Sequence, residues 1–210
     1  MSAVLDVNFP IIENSYQFEC TKCGNCCTGD QKVNLNPYDL YKMARYKGYN
    51  HTELLFENKL VHLVQSQNNA WIPQISFKVI AKGHRFCPFL INELNEHNKL
   101  LGLCSLHPDK KPLICTMAPV GRTIDFAAGV ENYIFVKPAP DCPGVDIRNE
   151  NSLAVLQNRL NDELMYEKLF LKILDKLILN NPPKTFYQDH LYCFPVTSNI
   201  KDILNKALTF

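Results

Sequence analysis

Closely spaced cysteines distinguish this chain of 210 residues. Eight of its nine cysteines form a compact series, and four of them fall within one stretch of eight positions. The eight are Cys20, Cys23, Cys26, Cys27, Cys87, Cys104, Cys115 and Cys142. A thiolate is a soft ligand that suits zinc, copper(I) and the iron of iron-sulfur clusters. The series therefore predicts a metal-binding protein, with these eight cysteines as the candidate metal ligands.

A disulfide framework is the other common use of many cysteines. It belongs to oxidising compartments, and mainly to secreted domains too small to build an adequate core. This chain is 46% hydrophobic over 210 residues, which is enough for the core of a single domain. Residues 1–10 lack the basic start, the apolar run and the cleavage site of a secretory signal. The sequence therefore predicts a cytoplasmic protein with reduced thiols.

Charge and hydropathy argue against nucleic acid and membrane as partners. The net charge is +1, from 22 basic and 21 acidic residues, so no overall field would concentrate polyanions at the surface. The most apolar segment, residues 169–179, contains three charged residues and is much shorter than the roughly 20 apolar residues of a membrane helix. The partners that remain are a metal ion and a protein, which includes a redox partner.

Hydrophobic periodicity divides the chain into three parts. Residues 1–15 show no clear period and are predicted to form an N-terminal arm. Residues 16–145 are predicted to be a cysteine-cluster metal-binding domain of short strands and helices. Residues 146–210 are predicted to be a C-terminal helical extension packed on that domain. The expected fold class is α+β.

Several elements are predicted individually. Asn36-Pro37 marks the start of a helix, because asparagine caps helices and proline suits the first helical position. Residues 71–81 and 86–91 are predicted strands, and residues 124–136 a strand pair around Gly129. An apolar stripe over residues 151–180 predicts one long helix, and a last helix is predicted to be capped by Ser198.

Spacing within the first cluster narrows the chemistry without naming the metal. Cys20, Cys23 and Cys26 are each separated by two residues, as in the loops that wrap a bacterial ferredoxin cluster. Two cysteines with this spacing also form half of many tetrahedral zinc sites. Cys26 and Cys27 are adjacent, and adjacent side chains tend to diverge, so the pair suits separate metal atoms better than one ion. Two sites or one polynuclear site follow, and chain order does not say which cysteines share a site.

The same residues resemble a known family. The resemblance rests on the run Cys20-Thr-Lys-Cys-Gly-Asn-Cys-Cys27, the segment Cys87-Pro-Phe-Leu90, the segment from Cys104 to Cys115, and Cys142-Pro-Gly144. Together these resemble the YkgJ-type cysteine-cluster family, described as a zinc- or iron-chelating domain. That family distantly resembles part of the flagellin lysine N-methylases, which are associated with an iron-sulfur centre. The resemblance implies that all eight cysteines are ligands and that the cofactor is an iron-sulfur cluster or zinc.

Two positions depart from the family pattern. Lys111 stands where an arginine usually precedes the Pro-Leu-Ile-Cys segment, and Thr116 replaces a frequent arginine after Cys115. Neither residue reproduces the planar fork with which arginine holds an anion through two bonds. An anionic substrate bound by those arginines is therefore not expected to be bound in the same way here.

Two functions are consistent with the sequence. The first is a cytoplasmic protein that holds an iron-sulfur cluster or zinc through the CxxCxxCC cluster and the four later cysteines, with electron or group transfer as the activity. The second is a structural-zinc module that presents a surface to a protein partner without catalysis. A metal carrier and a protein methyltransferase are further alternatives. No catalytic motif beyond the thiolates is visible, so the sequence does not decide whether the chain is an enzyme.

Two residues outside the series, His107 and Cys193, also carry groups that can bind a metal. His107, three residues after Cys104, is a further candidate ligand, although local hydrogen bonding is the commoner role of a histidine in such a turn. Cys193 lies far from the other cysteines and is predicted to be a packed core residue.

Overall fold

A computed structural model describes residues 9–81 and 83–209, without the side chains of residues 80 and 81. The described chain mixes helices with short antiparallel strand pairs and ends in helices, so the predicted α+β class is confirmed. Residues 1–8 of the predicted N-terminal arm lie outside the described residues. In the part of the chain that is described, no helix has both the length and the apolar character needed to cross a bilayer.

Helices and strands alternate through most of the chain. The helices are α1 (Pro37–Tyr46), α2 (Glu53–Glu57), α3 (Leu113–Met117), α4 (Leu153–Arg159), α5 (Asn161–Asn180), α6 (Lys184–Tyr187) and α7 (Ile200–Ala207). The strands are β1 (Ser15–Gln17), β2 (Val61–Gln65), β3 (Trp71–Ile75), β4 (Lys78–Ala81), β5 (His84–Phe86), β6 (Leu90–Leu94), β7 (Leu100–Cys104), β8 (Val120–Asp125), β9 (Val130–Phe135) and β10 (Glu150–Ser152). They pair as five antiparallel ribbons, β1 with β10, β2 with β3, β4 with β5, β6 with β7 and β8 with β9.

Helix α1 begins where the sequence predicts it. The Asn36 side chain accepts a 2.9 Å hydrogen bond from the Asp39 backbone N–H, and the Asp39 carboxylate accepts one of 3.1 Å from the Asn36 N–H. This reciprocal pair satisfies two donors that the first turn would otherwise leave unpaired. Leu40 and Met43 are fully buried on the inner face of the helix.

The main core joins the cysteine-rich segments to the C-terminal helices. It contains Leu40 and Met43 of α1, Ile173 and Leu177 of α5, and Cys87. Burial of such side chains is the dominant favourable term in folding. A second, smaller cluster lies under α3, β8, α4 and the start of α5, and its members are Ile12, Leu113, Met117, Val120, Leu153, Leu156, Leu160 and Leu164. The segment that carries Cys87 is therefore part of the main core.

Four individual predictions are wrong in detail. The strand over residues 71–81 is two strands, β3 and β4, which are separated by residues 76–77 and belong to different ribbons. The long helix over residues 151–180 is two helices, which meet at Leu160 with φ −106° and ψ 16°. Leu160 is buried in the second cluster, so tertiary packing favours the break within the apolar stripe. The strand over residues 86–91 is interrupted by a turn at residues 87–89. Helix α7 is capped by Asn199, whose side chain accepts from the Lys201 N–H, and not by Ser198.

Candidate metal centre

Backbone hydrogen bonds fix the CxxCxxCC loop between two ribbons. The loop turns at Gly24, which has a φ of +76°, and continues as a 3-10 turn over Asn25–Cys27. The Lys22 carbonyl accepts a 2.7 Å bond from the N–H of Gly102 in β7, and the Gly29 N–H donates a 2.9 Å bond to the Arg85 carbonyl in β5. Glycine reaches positive φ without steric cost, which explains the residue at position 24. The loop is therefore held at both ends by strands far away in the sequence.

Cys87 and Cys104 lie beside this loop. The Cys87 N–H donates a 2.8 Å hydrogen bond to the Cys27 carbonyl. The Leu90 N–H in turn donates to the Cys87 carbonyl, and Leu90 pairs with Cys104 across the β6–β7 ribbon. This chain of contacts brings three cysteines from three separate segments together.

Cys115 is carried by the short helix α3. The first helical N–H, that of Leu113, donates a 2.8 Å bond to the buried carboxylate of Asp39 in α1. Burial raises the pKa of the Cys115 thiol; Lys111 opposes this rise, while Cys27, Cys26 and Cys104 add to it. The two residues that depart from the family pattern, Lys111 and Thr116, lie next to Cys115. The Lys111 side chain is a cation near the thiols, and the Thr116 hydroxyl donates a hydrogen bond to the Pro112 carbonyl.

The turn around Cys142 is attached to the other side of the loop. The Glu19 N–H donates a 3.1 Å bond to the Gly144 carbonyl, and the Asn25 side-chain amide donates a 3.2 Å bond to the Asp141 carbonyl. Cys142 is buried, and burial raises the pKa of its thiol; the nearby Cys23, Cys26 and Cys20 raise it further. Cys142 therefore belongs with the cysteines that begin the loop.

Cys26 and Cys27 meet at the centre of the arrangement. Their Sγ atoms are 4.0 Å apart, so the two adjacent side chains do not diverge as expected. Hydrogen bonding to Cys27 and burial raise the pKa of Cys26 well above its ordinary range. The bond from Cys26 lowers the pKa of Cys27, but hydrogen bonding to Cys87 and burial outweigh it and raise the value to about 12. Close, partly buried thiols resist ionisation unless a cation compensates their charge.

The donor set fits a thiolate-bound metal. All nine cysteines are free thiols. The 4.0 Å between the sulfurs of Cys26 and Cys27 places two of these thiols side by side. The hydroxyl of Thr21, inside the loop, is buried without a hydrogen-bond partner among the described residues, which leaves a donor for a thiolate sulfur.

The side chains are nevertheless not arranged for ligation as they stand. Within residues 9–81 and 83–209, no group of three or more histidine, cysteine, aspartate or glutamate side chains is placed so that it could hold a metal ion. The eight predicted ligands are brought together as neighbours through backbone contacts and packing. Ligation would therefore require several thiols to rotate toward a common point.

His107 and Cys193, the two residues considered outside the series, are not placed as metal ligands. The His107 backbone N–H donates a 3.0 Å bond to the Cys104 carbonyl, and its side chain is exposed. Cys193 is half-buried at a cavity of about 120 Å³ that is also lined by Asp189, Phe194 and Lys206. Burial raises the pKa of Cys193 to about 12, with smaller contributions from nearby carboxylates. The prediction that Cys193 is a packed core residue is therefore wrong. Cys193 lines a cavity and is a member of neither core cluster.

A group of buried charges beside helix α3, which carries Cys115, was not predicted from the sequence. Lys42 in α1 donates to the Lys111 carbonyl at 2.7 Å, forms an ion pair with Glu163 in α5, and lies 3.4 Å from Asp39. Lys42 and Asp39 are buried. Their spacing of three residues in one helix was visible in the sequence. The partner in α5 is 121 residues away, and no local pattern reveals it.

A mixed helical and ribbon fold whose loops gather eight free thiols defines a cysteine-cluster protein. The match to known families agrees with this class. The chain belongs to the CxxCxxCC family, described as a "Putative zinc- or iron-chelating domain", whose model matches residues 19–143. The matched range begins one residue before Cys20 and ends one residue after Cys142, so it includes all eight cysteines of the series. No curated protein and no solved structure matches the chain.

Proposed function

We propose that the chain binds zinc or an iron-sulfur cluster through Cys20, Cys23, Cys26, Cys27, Cys87, Cys104, Cys115 and Cys142. The observation that carries the proposal is the attachment of three distant segments to one loop, through the contacts of Cys87 with Cys27, Gly102 with Lys22, and Gly144 with Glu19. Free cysteines used only for packing behave as small hydrophobic residues, and packing alone gives no reason for them to cluster. Eight thiols around one loop are the expected arrangement of a metal centre.

Each metal would serve a different function at these thiols. Bound zinc would crosslink the loop to the ribbons, whereas an iron-sulfur cluster would add one-electron redox chemistry. Cys20 and Cys26 are exposed, which supports electron or group transfer at an accessible centre. Cys87 is buried in the main core, which supports the second candidate, a structural-zinc module with a protein partner. A reducing, cytoplasmic location is part of the proposal, because the ligands must remain thiolates.

Anaerobic purification with elemental analysis and an absorption spectrum on the same sample tests the proposal. Iron with matching sulfide and broad visible absorption would identify an iron-sulfur protein. Colourless zinc would favour the structural module, because zinc has no visible transitions of its own. Protein that is folded but holds neither metal, even after anaerobic reconstitution with each, would contradict the proposal.

Two serine variants make the test specific to the cysteine series. Cys23→Ser is expected to reduce metal content and thermal stability together, because the binding free energy of a structural site contributes to folding. Cys193→Ser is the matched control, since it removes a thiol outside the series and is expected to leave the metal content unchanged. Equal metal content in both variants would show that Cys23 is not a ligand.

A further inference from the structure

Packing separates the eight cysteines into two groups of four. The inner set belongs to the main core or packs against it, and consists of Cys27, Cys87, Cys104 and Cys115. The outer set consists of Cys20, Cys23, Cys26 and Cys142, none of which is a member of either core cluster. Four thiolates are the usual complement of a zinc site and of an iron-sulfur cluster. The division therefore matches the number of ligands that one centre requires.

Backbone contacts follow the same division. Within the inner set, Cys87 bonds to the backbone of Cys27, and Cys104 lies opposite Leu90, which bonds to Cys87. Around the outer set, the turn at Cys142 is held by Glu19, which precedes Cys20, and by Asn25, which precedes Cys26. The segments of Cys87 and Cys142 are thus attached to different parts of the loop, and β7, which carries Cys104, meets the loop at Lys22, between Glu19 and Cys27.

We infer that the inner and outer sets are two separate metal sites, placed side by side and in contact at Cys26 and Cys27. The inference rests on the proposed metal binding and specifies which ligands share a metal. The inner site would link the loop to the main core, and the outer site, with Cys20 and Cys26 exposed, would be the one that exchanges metal with solvent.

Metal content per chain in a set of serine variants tests the division. Cys142→Ser, Cys20→Ser and their combination remove outer ligands, Cys104→Ser removes an inner ligand, and Cys193→Ser is the control. We expect each outer variant to retain about half of the wild-type metal, and the double outer variant to lose no more than either single one. Cys104→Ser is expected to lose the other half and to lower the melting temperature further, because its set faces the core.

The possible outcomes separate the two proposals. Wild-type protein without metal would overturn metal binding, and the division with it. Wild-type protein with metal, together with folded outer variants that have lost all of it, would establish one polynuclear centre and overturn only the division. Should Cys104→Ser fail to fold, the outer variants decide the matter alone, because retention of half the metal supports two sites and its complete loss contradicts them.

Discussion

Gly102 in β7 lies directly against Gly24 in the cysteine loop. A Cβ atom built on Gly102 would be 2.4 Å from the Cα of Gly24, a distance that non-bonded carbon atoms do not tolerate. The contact involves main chain on both sides, so no side-chain rotation can relieve it. The loop and the ribbon that carries Cys104 are therefore in register only while position 102 has no side chain.

Gly102→Ala is expected to separate the loop from β7. Overpacking of this kind costs about 1–3 kcal/mol of the free energy of unfolding, and here it would also reduce metal content because it moves Cys23 and Cys104 apart. Urea unfolding and metal analysis on the same preparations measure both effects. Asn92→Ala is the control, since Asn92 is the exposed residue opposite Gly102 in the ribbon. Wild-type stability and metal content in Gly102→Ala would show that the close contact is not needed.

Lys42→Met is expected to destabilise the protein by about 3–5 kcal/mol, because it leaves the buried Asp39 and the nearby Glu163 without their cation. Glu163→Gln added to this variant removes one of the two uncompensated charges and should recover part of the loss. Urea unfolding of both variants and the wild type measures the changes. A loss below about 1 kcal/mol in Lys42→Met would mean that the ion pairs contribute little.

Thr52 tests the core independently of the metal. Its buried hydroxyl donates a 2.7 Å bond to the Tyr192 carbonyl and accepts a 2.9 Å bond from the Phe194 N–H. Thr52→Val leaves both backbone groups unpaired and should cost about 1–3 kcal/mol. Metal content is expected to stay at the wild-type value, and Thr52→Ser, which keeps the hydroxyl, should remain close to wild-type stability. Loss of metal in Thr52→Val would instead connect this contact to the cysteine centre.

Glu131 is expected to contribute stability that disappears in acid. Burial alone would raise the pKa of its carboxyl, but Lys168, Tyr133 and Arg122 together lower it below its ordinary value. A carboxyl with a lowered folded-state pKa stabilises the protein above its unfolded-state pKa, and the contribution is lost as the pH falls through the folded-state value. The difference in unfolding free energy between wild type and Glu131→Gln should therefore be constant near neutral pH and shrink in acid.

Urea unfolding of both proteins from neutral pH down to about pH 3, below the ordinary pKa of a glutamate, checks this dependence. The comparison is made as a difference because the pKa of neighbouring Glu167 is shifted in the opposite direction, raised mainly by burial. Loss of metal in acid would affect both proteins and cancel to first order. A difference that grows as the pH falls would contradict the assignment.

Removal of metal by a chelator is expected to loosen the ligand loops before the helices. Ligand loops bury little apolar surface of their own, whereas α5 contributes Phe170, Ile173 and Leu177 to the main core. Amide hydrogen exchange should accelerate in residues 19–29 of the metal-free protein, while the amides of α5 remain protected. Equal acceleration in both regions would mean that the metal supports the whole fold.

Local rules account for what the sequence determined. Spacing predicted the first four cysteines as metal ligands, because metal-ligand loops use a small set of intervals. The resemblance to a cysteine-cluster family extended the prediction to Cys87, Cys104, Cys115 and Cys142. The start of α1 followed from Asn36 and Pro37, since a cap acts within three residues of itself. The α+β class followed from apolar periods that change along the chain, because helices and strands expose their faces at different intervals.

Only the tertiary structure decided how these parts meet. It placed the sulfurs of Cys26 and Cys27 4.0 Å apart, attached Cys87 to Cys27 and Gly144 to Glu19, and ended α4 at the buried Leu160. The ion pair of Lys42 with Glu163 spans 121 positions of the chain. Contacts at such separations depend on which surfaces the whole chain buries together, and no window of neighbouring residues contains that information. The cysteines were therefore visible in the sequence, but the contacts that join their segments were not.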